Sequence, residues 1–478
     1  MKRFALYLFS LAFVFVAHAT TEWTLQGKSY NVDTINHIVA GPGTTLTSLR
    51  LTGAQNLNVF YTTTDLTNPL VEMRTVKSKD VIYAREKVSD MALRNDNDKE
   101  QYFLGVNADF YNMRRGNSIG SHIAHDEIYY LDDNGRTQWA IGNNRKPIMG
   151  KMDISCTVIA NDKAIKLIGV NKVAKGHGLN LYTAKYGKTT DKIDKIVEVA
   201  LIPVESPISV GKKVKLKVSS AVKKGGELEI PSNGYVLSGI GAERKFIKSL
   251  KENDIIEITT TVSLANGTNI TPSEVISGYP VILRNGKVTD PVDILKHLNG
   301  LHPRTAIGND STGTKLTILI VDGRSKVSEG CTSKVLADIM HHVGCDDAMN
   351  LDGGGSSELY VKSLGICNVP SDGVERTVAN GIFAVANVPV DNEIASIRFA
   401  DYKKTVNKND TYAPVFYGYN KYGILIDTNV KGVKLSCPKK LGKIVQKGST
   451  LQAKGAGTHL LTAKLGNLTT DINVTVKE

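Results

Sequence analysis

Three consecutive glycines, Gly353–Gly355, constrain the fold of this chain more than any other feature of its sequence. Asp352 precedes them, Ser356 and Ser357 follow them, and we predict a short strand on either side. Glycine has no Cβ, so this turn can adopt positive φ values and bring backbone N–H groups towards one point. Together with the two hydroxyls and the carboxylate, such a turn suits a phosphate or a sugar. The alternative is a tight hairpin in which the glycines only form the corner.

The N-terminal residues indicate export. Lys2 and Arg3 precede an apolar run, Phe4–Val16, and the run ends in a small-x-small cleavage pattern, Ala17–Ala19. We therefore predict that residues 1–19 are a signal peptide and that the mature chain is secreted, to the periplasm or the cell surface. No other stretch has the length of a membrane span, so we expect none.

The remaining composition is that of a globular protein, with 41% apolar and 22% charged residues. The formal charge is +12, but the lysines are scattered, so nucleic-acid binding is not predicted. A basic secreted surface suits polyanionic glycans or phosphate-bearing polymers, and it is equally compatible with charge that only solubilises the protein. The oligomeric state is left open.

Acidic and amide side chains follow two predicted strands. Asn107 and Asp109 come after the apolar strand Phe103–Val106, and Asp322 comes after Lys315–Val321. The continuous apolar character of the second strand predicts burial on both faces. Polar groups at the end of a buried strand must be hydrogen-bonded or face a cleft, because burial without a partner is costly. Turn capping is the alternative for each of them.

Arginines near predicted strands are candidates for binding an oxyanion. Arg304 lies beside Thr305 at the start of a strand, Arg324 lies two residues after Asp322, and Arg376 precedes the last strand of this region. Arginine presents a planar fork that matches phosphate bidentately. For Arg304 the alternative is an ordinary surface ion pair, and for Arg324 it is a pair with Asp322 that caps loops.

The pattern of apolar residues predicts an α+β chain with two domains. Thr332–Val343 has a helical apolar face and capping residues at both ends. We predict a mixed β-sheet domain with flanking helices over residues 20–390. Short strands and turns without a convincing helix follow, and they predict a small all-β, immunoglobulin-like sandwich over residues 391–478.

Seven motifs, in order along the chain, resemble the phosphodiester glycosidase family. They are VNADFY at Val106–Tyr111, LYTAKYGKTT at Leu181–Thr190, YVLSGIG at Tyr235–Gly241, SGYPVILRNG at Ser277–Gly286, PRTAIG at Pro303–Gly308, VDGRS at Val321–Ser325 and NLDGGGSS at Asn350–Ser357. The resemblance covers residues 30–388. It implies a catalytic domain that hydrolyses a sugar-1-phosphodiester, such as an N-acetylglucosamine-1-phosphate diester, to free sugar and a phosphomonoester.

For this reaction the chain needs an anion clamp and a carboxylate that acts as nucleophile or activates water. The candidate carboxylates, which the sequence does not rank, are Asp109, Asp322 and Asp352. The candidate phosphate clamp consists of Arg304, Arg324 and the N–H groups of Gly353, Gly354 and Gly355, with help from Thr305, Ser356 and Ser357. Asn107 is expected to hold a sugar hydroxyl, and Arg376 is a further phosphate ligand.

No cofactor is required by the sequence, although a divalent cation near the aspartates is compatible with it. Two other classes of protein stay open at this point. One is a non-catalytic, glycan-binding surface protein, and the other is a metal-dependent phosphodiesterase that cleaves the P–O bond.

Overall fold

The computed structural model describes residues 21–132, 135–289 and 298–478. The predicted signal peptide lies outside the described residues. The described chain is mostly β with several sheets and few helices, in agreement with the predicted fold class. Its α-helices are Val88–Asn95 (α1), Arg244–Ser249 (α2) and Ser333–His342 (α3). None of the helices in these three described ranges has the length and apolar character to cross a bilayer.

Strands are numbered in chain order. The first ten are Thr21–Leu25 (β1), Lys28–Gly41 (β2), Thr44–Gly53 (β3), Leu57–Asp65 (β4), Val71–Lys77 (β5), Gln101–Asn107 (β6), His122–Ala124 (β7), Glu127–Tyr130 (β8), Thr137–Gly142 (β9) and Ile148–Gly150 (β10). The next nine are Met152–Ala160 (β11), Lys163–Val170 (β12), Gly178–Thr183 (β13), Lys192–Pro203 (β14), Lys213–Val218 (β15), Lys223–Gly226 (β16), Tyr235–Ile240 (β17), Ile255–Leu264 (β18) and Asn269–Ile270 (β19). They are followed by Pro272–Gly278 (β20), Val281–Arg284 (β21), Lys287–Val288 (β22), Arg304–Asn309 (β23), Lys315–Val321 (β24), Asp347–Asn350 (β25), Leu359–Val361 (β26), Gly365–Ile366 (β27) and Asn380–Ala386 (β28).

Two antiparallel sheets pack face to face and form the central sandwich. The larger has the order β1-β2-β3-β4-β24-β23-β25-β21-β22, and the smaller has the order β27-β26-β6-β28-β5. Leu104 and Ile382 of the smaller sheet share one hydrophobic core with Ile318 and Met349 of the larger sheet. The pairings within both sheets are antiparallel throughout.

Strand β24 is covered on both faces, as its apolar sequence predicts. Ile318 and Ile320 face the central core, whereas Leu319 and Val321 pack with Leu336 of α3. Helix α3 agrees with the sequence prediction. Thr332 caps it by accepting a hydrogen bond from the Val335 N–H at 3.3 Å, which satisfies one of the free donors at the helix start.

The segment between the two halves of the sandwich forms a barrel. Its strands have the order β11-β12-β13-β17-β14-β15-β18, and β18 pairs back with β11, so this ring of strands closes. Apolar side chains such as Val158, Leu181, Leu237 and Ile258 fill its interior. Two of the family motifs, at residues 181–190 and 235–241, lie in this barrel and not in the sandwich. A further five-stranded sheet, β10-β9-β20-β7-β8, lies beside both.

The C-terminal strands are Ser396–Phe399 (β29), Lys404–Asn407 (β30), Thr411–Tyr412 (β31), Phe416–Tyr419 (β32), Leu425–Asp427 (β33), Lys434–Ser436 (β34), Gly442–Val445 (β35), Thr450–Ala453 (β36), Gly457–Leu465 (β37) and Leu468–Lys477 (β38). They form three small sheets around a hydrophobic core of their own. Ile424 of this region packs into the central core of the sandwich. The immunoglobulin-like character and the domain boundary at residue 390 stay predictions.

Candidate active site

Antiparallel pairing brings distant residues to one end of the sandwich. Strand β23 runs opposite to its neighbours β24 and β25, so its start lies beside their ends, with Arg304 opposite Val321 and Ala306 opposite Asn350. In the smaller sheet the end of β6 lies beside the starts of β26 and β28. Since the two sheets pack face to face, the residues at these six strand ends meet.

A hydroxyl and an amide join the two sheets at this end. Thr305 donates its Oγ1 hydroxyl to Asn107 Oδ1 at 3.0 Å, and Ser357 Oγ lies 3.1 Å from the same Oγ1. Asn107 Nδ2 donates to the Asp352 carbonyl at 2.6 Å, and the Glu358 N–H donates to Asn107 Oδ1 at 3.2 Å. Asn107, which the sequence predicts as a sugar ligand, is therefore held mainly by protein groups, and it fixes the backbone of Asp352.

Asp352 stands at the centre of the cluster. Its N–H donates to the Ala108 carbonyl at 2.9 Å, and the residue is only partly buried. Burial raises the pKa of its carboxyl to about 6, against the opposing effects of the Ser356 hydroxyl, the Arg376 charge and the Gly353 N–H. A carboxylate that is ionised at neutral pH is what a nucleophile or a general base needs.

The three glycines mainly allow other protein groups to approach the turn closely, and they supply fewer free N–H donors than expected. Gly354 alone of the three has a positive φ, +66°, and its N–H donates to the Pro303 carbonyl at 2.9 Å. A Cβ on Gly353 would lie 2.8 Å from the same carbonyl oxygen, and a Cβ on Gly355 would lie 2.0 Å from Arg376 Nη2. The Gly354 N–H is therefore used inside the protein, contrary to the expectation that it binds phosphate.

Arg324 and Arg376 flank this turn. Arg324 is exposed, donates to Ser371 Oγ at 3.3 Å, and places Nη2 2.9 Å from where a Cβ on Gly354 would be. Arg376 is half-buried, and Asp372 holds its Nε at 2.7 Å. Both guanidinium groups thus lie at the glycine turn beside Asp352, where an oxyanion would be clamped.

Arg304 lies elsewhere, contrary to its predicted place in the phosphate clamp. Successive side chains of a strand point to opposite faces, so Thr305 faces the cluster and Arg304 faces away from it. The Arg304 guanidinium is buried and donates to the carbonyls of Cys331, Leu298 and Gly300 at 2.8–2.9 Å. In this position it ties the loop before β23 to the start of α3.

The other two candidate carboxylates are buried and differ in their surroundings. Asp109 Oδ1 accepts from the Ser277 N–H at 2.8 Å, and burial raises the pKa of this carboxyl to about 7. Asp322 Oδ1 accepts from Asn368 Nδ2 at 3.0 Å, and burial raises its pKa to about 6. Asn368 also donates to the Ser357 carbonyl, so Asp322 positions the backbone of Ser357 through Asn368.

Glu358 belongs to the cluster although the sequence did not single it out. It is fully buried, its Oε1 accepts a hydrogen bond from the Arg376 N–H, and burial raises the pKa of its carboxyl to about 9. Glu358 is therefore protonated at neutral pH. The sequence feature that could have identified Glu358 is its position directly before the apolar strand β26.

Several buried polar atoms at this place have no well-aligned hydrogen-bond partner among the described residues. They are Asp109 Oδ2, Asn350 Oδ1, Ser356 Oγ, Glu358 Oε2 and Asn380 Nδ2. Such atoms are few in folded proteins, and strained or unsatisfied groups cluster at functional sites. Their concentration around Asp352 marks this end of the sandwich as the candidate active site.

Two other observations bear on the location and the chemistry of the site. In the part of the chain that the structure describes, no three His, Cys, Asp or Glu side chains lie close enough together to hold a metal ion. A cavity of about 400 Å³ lies at the barrel, lined by residues such as Lys185 and Asn233 and away from the cluster. None of the clustered carboxylates lines that cavity, so the candidate site lies at the end of the sandwich and not in the cavity.

A family model described as phosphodiester glycosidase matches residues 212–385, from the barrel to strand β28. The matched segment contains the glycine turn, Asp322, Arg324 and Arg376, and it confirms the resemblance seen in the motifs. Asn107 and Asp109 lie before it.

Among curated proteins, an SPbeta prophage-derived uncharacterized protein of Bacillus subtilis strain 168, YomE, is 48% identical over 83 residues. That match covers 17% of this chain and 13% of the relative, so the chain spans only a small part of the relative's length.

Two solved structures are similar. A protein from Synechocystis has a TM-score of 0.58 at 14% identity, over 77% of this chain and 64% of that chain, which shows a shared fold. The zebrafish N-acetylglucosamine-1-phosphodiester alpha-N-acetylglucosaminidase catalytic domain has a TM-score of 0.38 at 13% identity, over 74% of this chain and 87% of that chain, a similarity too low to support an inference.

Proposed function

Residues 212–385 belong to the phosphodiester glycosidase family, and from this premise we propose that the protein is a hydrolase that cleaves a sugar-1-phosphodiester. The products are the free sugar and a phosphomonoester, and an N-acetylglucosamine-1-phosphate diester is the substrate to test first. The observation that carries this proposal is the Asp352 carboxylate beside the two arginines that flank the glycine turn.

The proposed chemistry assigns one role to each of these groups. Arg324 and Arg376 hold the phosphate, whose departure with the bridging oxygen needs little protonation because phosphate is already a good leaving group. The C1–O bond breaks with oxocarbenium character, and Asp352 either attacks C1 or removes a proton from the attacking water. Asp352 ranks above the other candidate carboxylates, since Asp109 and Asp322 are more deeply buried.

The chain is proposed to act outside the cytoplasm. This follows from the signal peptide predicted for residues 1–19.

Hydrolysis of a sugar-1-phosphate methyl diester in ¹⁸O-labelled water tests the reaction. We expect the label in the sugar, because the C1–O bond breaks. Label in the phosphate, together with loss of activity on chelation, would instead indicate a metal-dependent phosphodiesterase. Binding of the diester without any turnover would indicate a glycan-binding protein.

Asp352→Asn tests the assigned residue. We expect kcat to fall by about 1000-fold or more, by analogy with the loss of an essential nucleophile or base, while the fold is retained. Asp153→Asn is a matched control, because Asp153 is exposed on the barrel and its carboxylate pairs with the exposed Lys166 at 3.1 Å. Full activity of Asp352→Asn would remove Asp352 from the mechanism.

A further inference from the structure

Lys77 is a buried residue whose side-chain amine holds two loops together beside the candidate active site. Its side chain is 2% exposed, and Nζ donates to the carbonyls of Ala84 at 3.4 Å, Gly116 at 3.3 Å and Ala379 at 2.6 Å. Burying an ammonium group is costly unless it is hydrogen-bonded. These hydrogen bonds of Lys77 therefore hold both loops in place relative to Asn380, the residue after Ala379.

Each of these two loops carries an exposed arginine. Arg85 follows Ala84, and Arg115 precedes Gly116. The loops touch, since a Cβ on Gly116 would lie 2.7 Å from the Ala84 carbonyl oxygen. The Arg115 guanidinium lies over the ring of Tyr83 at 5.2 Å, which orients it without neutralising its charge.

Neither arginine forms an ion pair with any residue that the structure describes. Arg94, on the nearby helix α1, differs in this respect, because it pairs with Asp80 at 2.5 Å and with Glu86 at 3.1 Å. Arg94 is thus neutralised, whereas Arg85 and Arg115, like the exposed Arg114 beside Arg115, have no carboxylate partner among the described residues.

Tyr111 connects these loops to the reacting groups. Burial raises the pKa of the Tyr111 hydroxyl, Asp352 raises it further, and Arg376 and Arg85 both lower it. The geometry agrees, because the Tyr111 hydroxyl donates to the Thr377 carbonyl, the residue after Arg376, at 3.1 Å, and the N–H of Glu86, the residue after Arg85, donates to the Val378 carbonyl at 3.0 Å. Arg376 contacts the glycine turn, so Arg85 and Arg115 continue the positive charge outwards from the phosphate clamp.

We propose that Arg85 and Arg115 bind a second phosphate group, one repeat unit away from the bond that is cleaved, so that the substrate is a polymer of sugar phosphates. This inference rests on the proposed function. A chain with one negative charge per repeat places phosphates at regular intervals, and two exposed guanidinium groups next to the clamp suit the neighbouring phosphate. A lone diester would contact only the clamp at Arg324 and Arg376.

The test compares two substrates that contain the same cleavable bond. One is a sugar-1-phosphate methyl diester, and the other is an oligomer of four to six sugar-1-phosphate repeats. We expect Arg85→Ala/Arg115→Ala to lower the ratio of kcat/KM for the oligomer to kcat/KM for the methyl diester by about tenfold or more, given that each lost contact is charge-assisted. Arg398→Ala, an exposed arginine of the C-terminal region, should leave this ratio unchanged.

Added salt supplies a second readout. Because exposed charges are screened by salt, KM for the oligomer should rise with ionic strength more steeply in the unmodified protein than in the double variant. An equal effect of the double substitution on both substrates would overturn the second phosphate site while leaving the proposed reaction intact.

Failure of the reaction itself is distinguished by measuring binding. If the unmodified protein cleaves neither substrate, titration calorimetry with the oligomer still compares the two proteins directly. Binding weakened about tenfold in the double variant would support the arginine site without the reaction. If the unmodified protein and the double variant bind the oligomer with equal affinity, the second phosphate site at Arg85 and Arg115 is overturned.

Discussion

Replacing Glu358 by Gln tests whether this buried carboxyl holds a proton at neutral pH. The folded protein raises the pKa of Glu358 from 4.5 to about 9. The unfolded chain releases this proton above pH 4.5, whereas the folded chain keeps it, so folding stability falls as the pH rises from about 4.5 to about 9. Glutamine keeps the acceptor that the Arg376 N–H uses, and it does not titrate.

The slope of this effect follows from linkage. Each pH unit between 4.5 and 9 lowers the free energy of unfolding by about 1.4 kcal/mol. At pH 7 the wild-type protein is therefore about 3 kcal/mol less stable than it would be if this carboxyl were protonated in both the folded and the unfolded state. The glutamine NH₂ would occupy the position of Oε2, which has no partner among the described residues. That unpaired donor costs about 1–3 kcal/mol, but its cost does not vary with pH.

The assay is urea unfolding of wild-type protein and Glu358→Gln at pH 5, 6, 7 and 8, followed on the same transition. We expect the difference in unfolding free energy to change by about 1.4 kcal/mol per pH unit in favour of the variant. Glu22→Gln, an exposed position, shows the effect of removing one surface charge. A difference between wild type and Glu358→Gln that is constant from pH 5 to 8 would refute a protonated Glu358.

Three further substitutions separate positioning from packing. Gly355→Ala would place a Cβ 2.0 Å from Arg376 Nη2 and should lower kcat/KM about tenfold by displacing that guanidinium, as steady-state kinetics would show. Arg304→Met leaves three backbone carbonyls without their donor, and we expect a loss of about 3 kcal/mol or more in unfolding free energy with KM changed less than about threefold. A large rise in KM without loss of stability would return Arg304 to the phosphate clamp. Thr305→Val removes the hydroxyl that reaches Asn107 Oδ1 and should cost about 1–2 kcal/mol in denaturant unfolding, and no loss would mean that this bond does not join the sheets.

Local sequence pattern predicted the elements that present the site. The apolar run of β24 predicted a strand covered on both faces, and the periodicity and capping residues of α3 predicted its extent to within one residue at each end. The residues at the strand ends were recognisable because polar groups directly after buried strands need a partner or a cleft. The closure of the barrel was not predicted, because it depends on β18 pairing with β11 across about 100 residues of chain.

The alternation of side chains along a strand shows where sequence reasoning stops. It requires that Arg304 and Thr305 face opposite sides of β23, but the sequence does not say which side holds the site. The structure decides in favour of Thr305, because the amide of Asn107 lies on that side. Glu358 was missed for a related reason, since only packing reveals that a carboxyl beside two serines is fully buried.

The sequence by itself determined strands such as β6 and β24, the helix α3, the glycine turn with its neighbouring aspartate, and the resemblance to a phosphodiester glycosidase. Only the tertiary structure decided which arginines flank that turn, which of the three aspartate residues is partly exposed, and which N–H groups are already used. The physical reason is that these properties depend on partners far apart in the chain, such as Thr305 and Asn107, which are separated by 198 positions. The local sequence pattern determines the chemistry and the secondary structure of each residue, and the packing of the two sheets determines which residues it contacts.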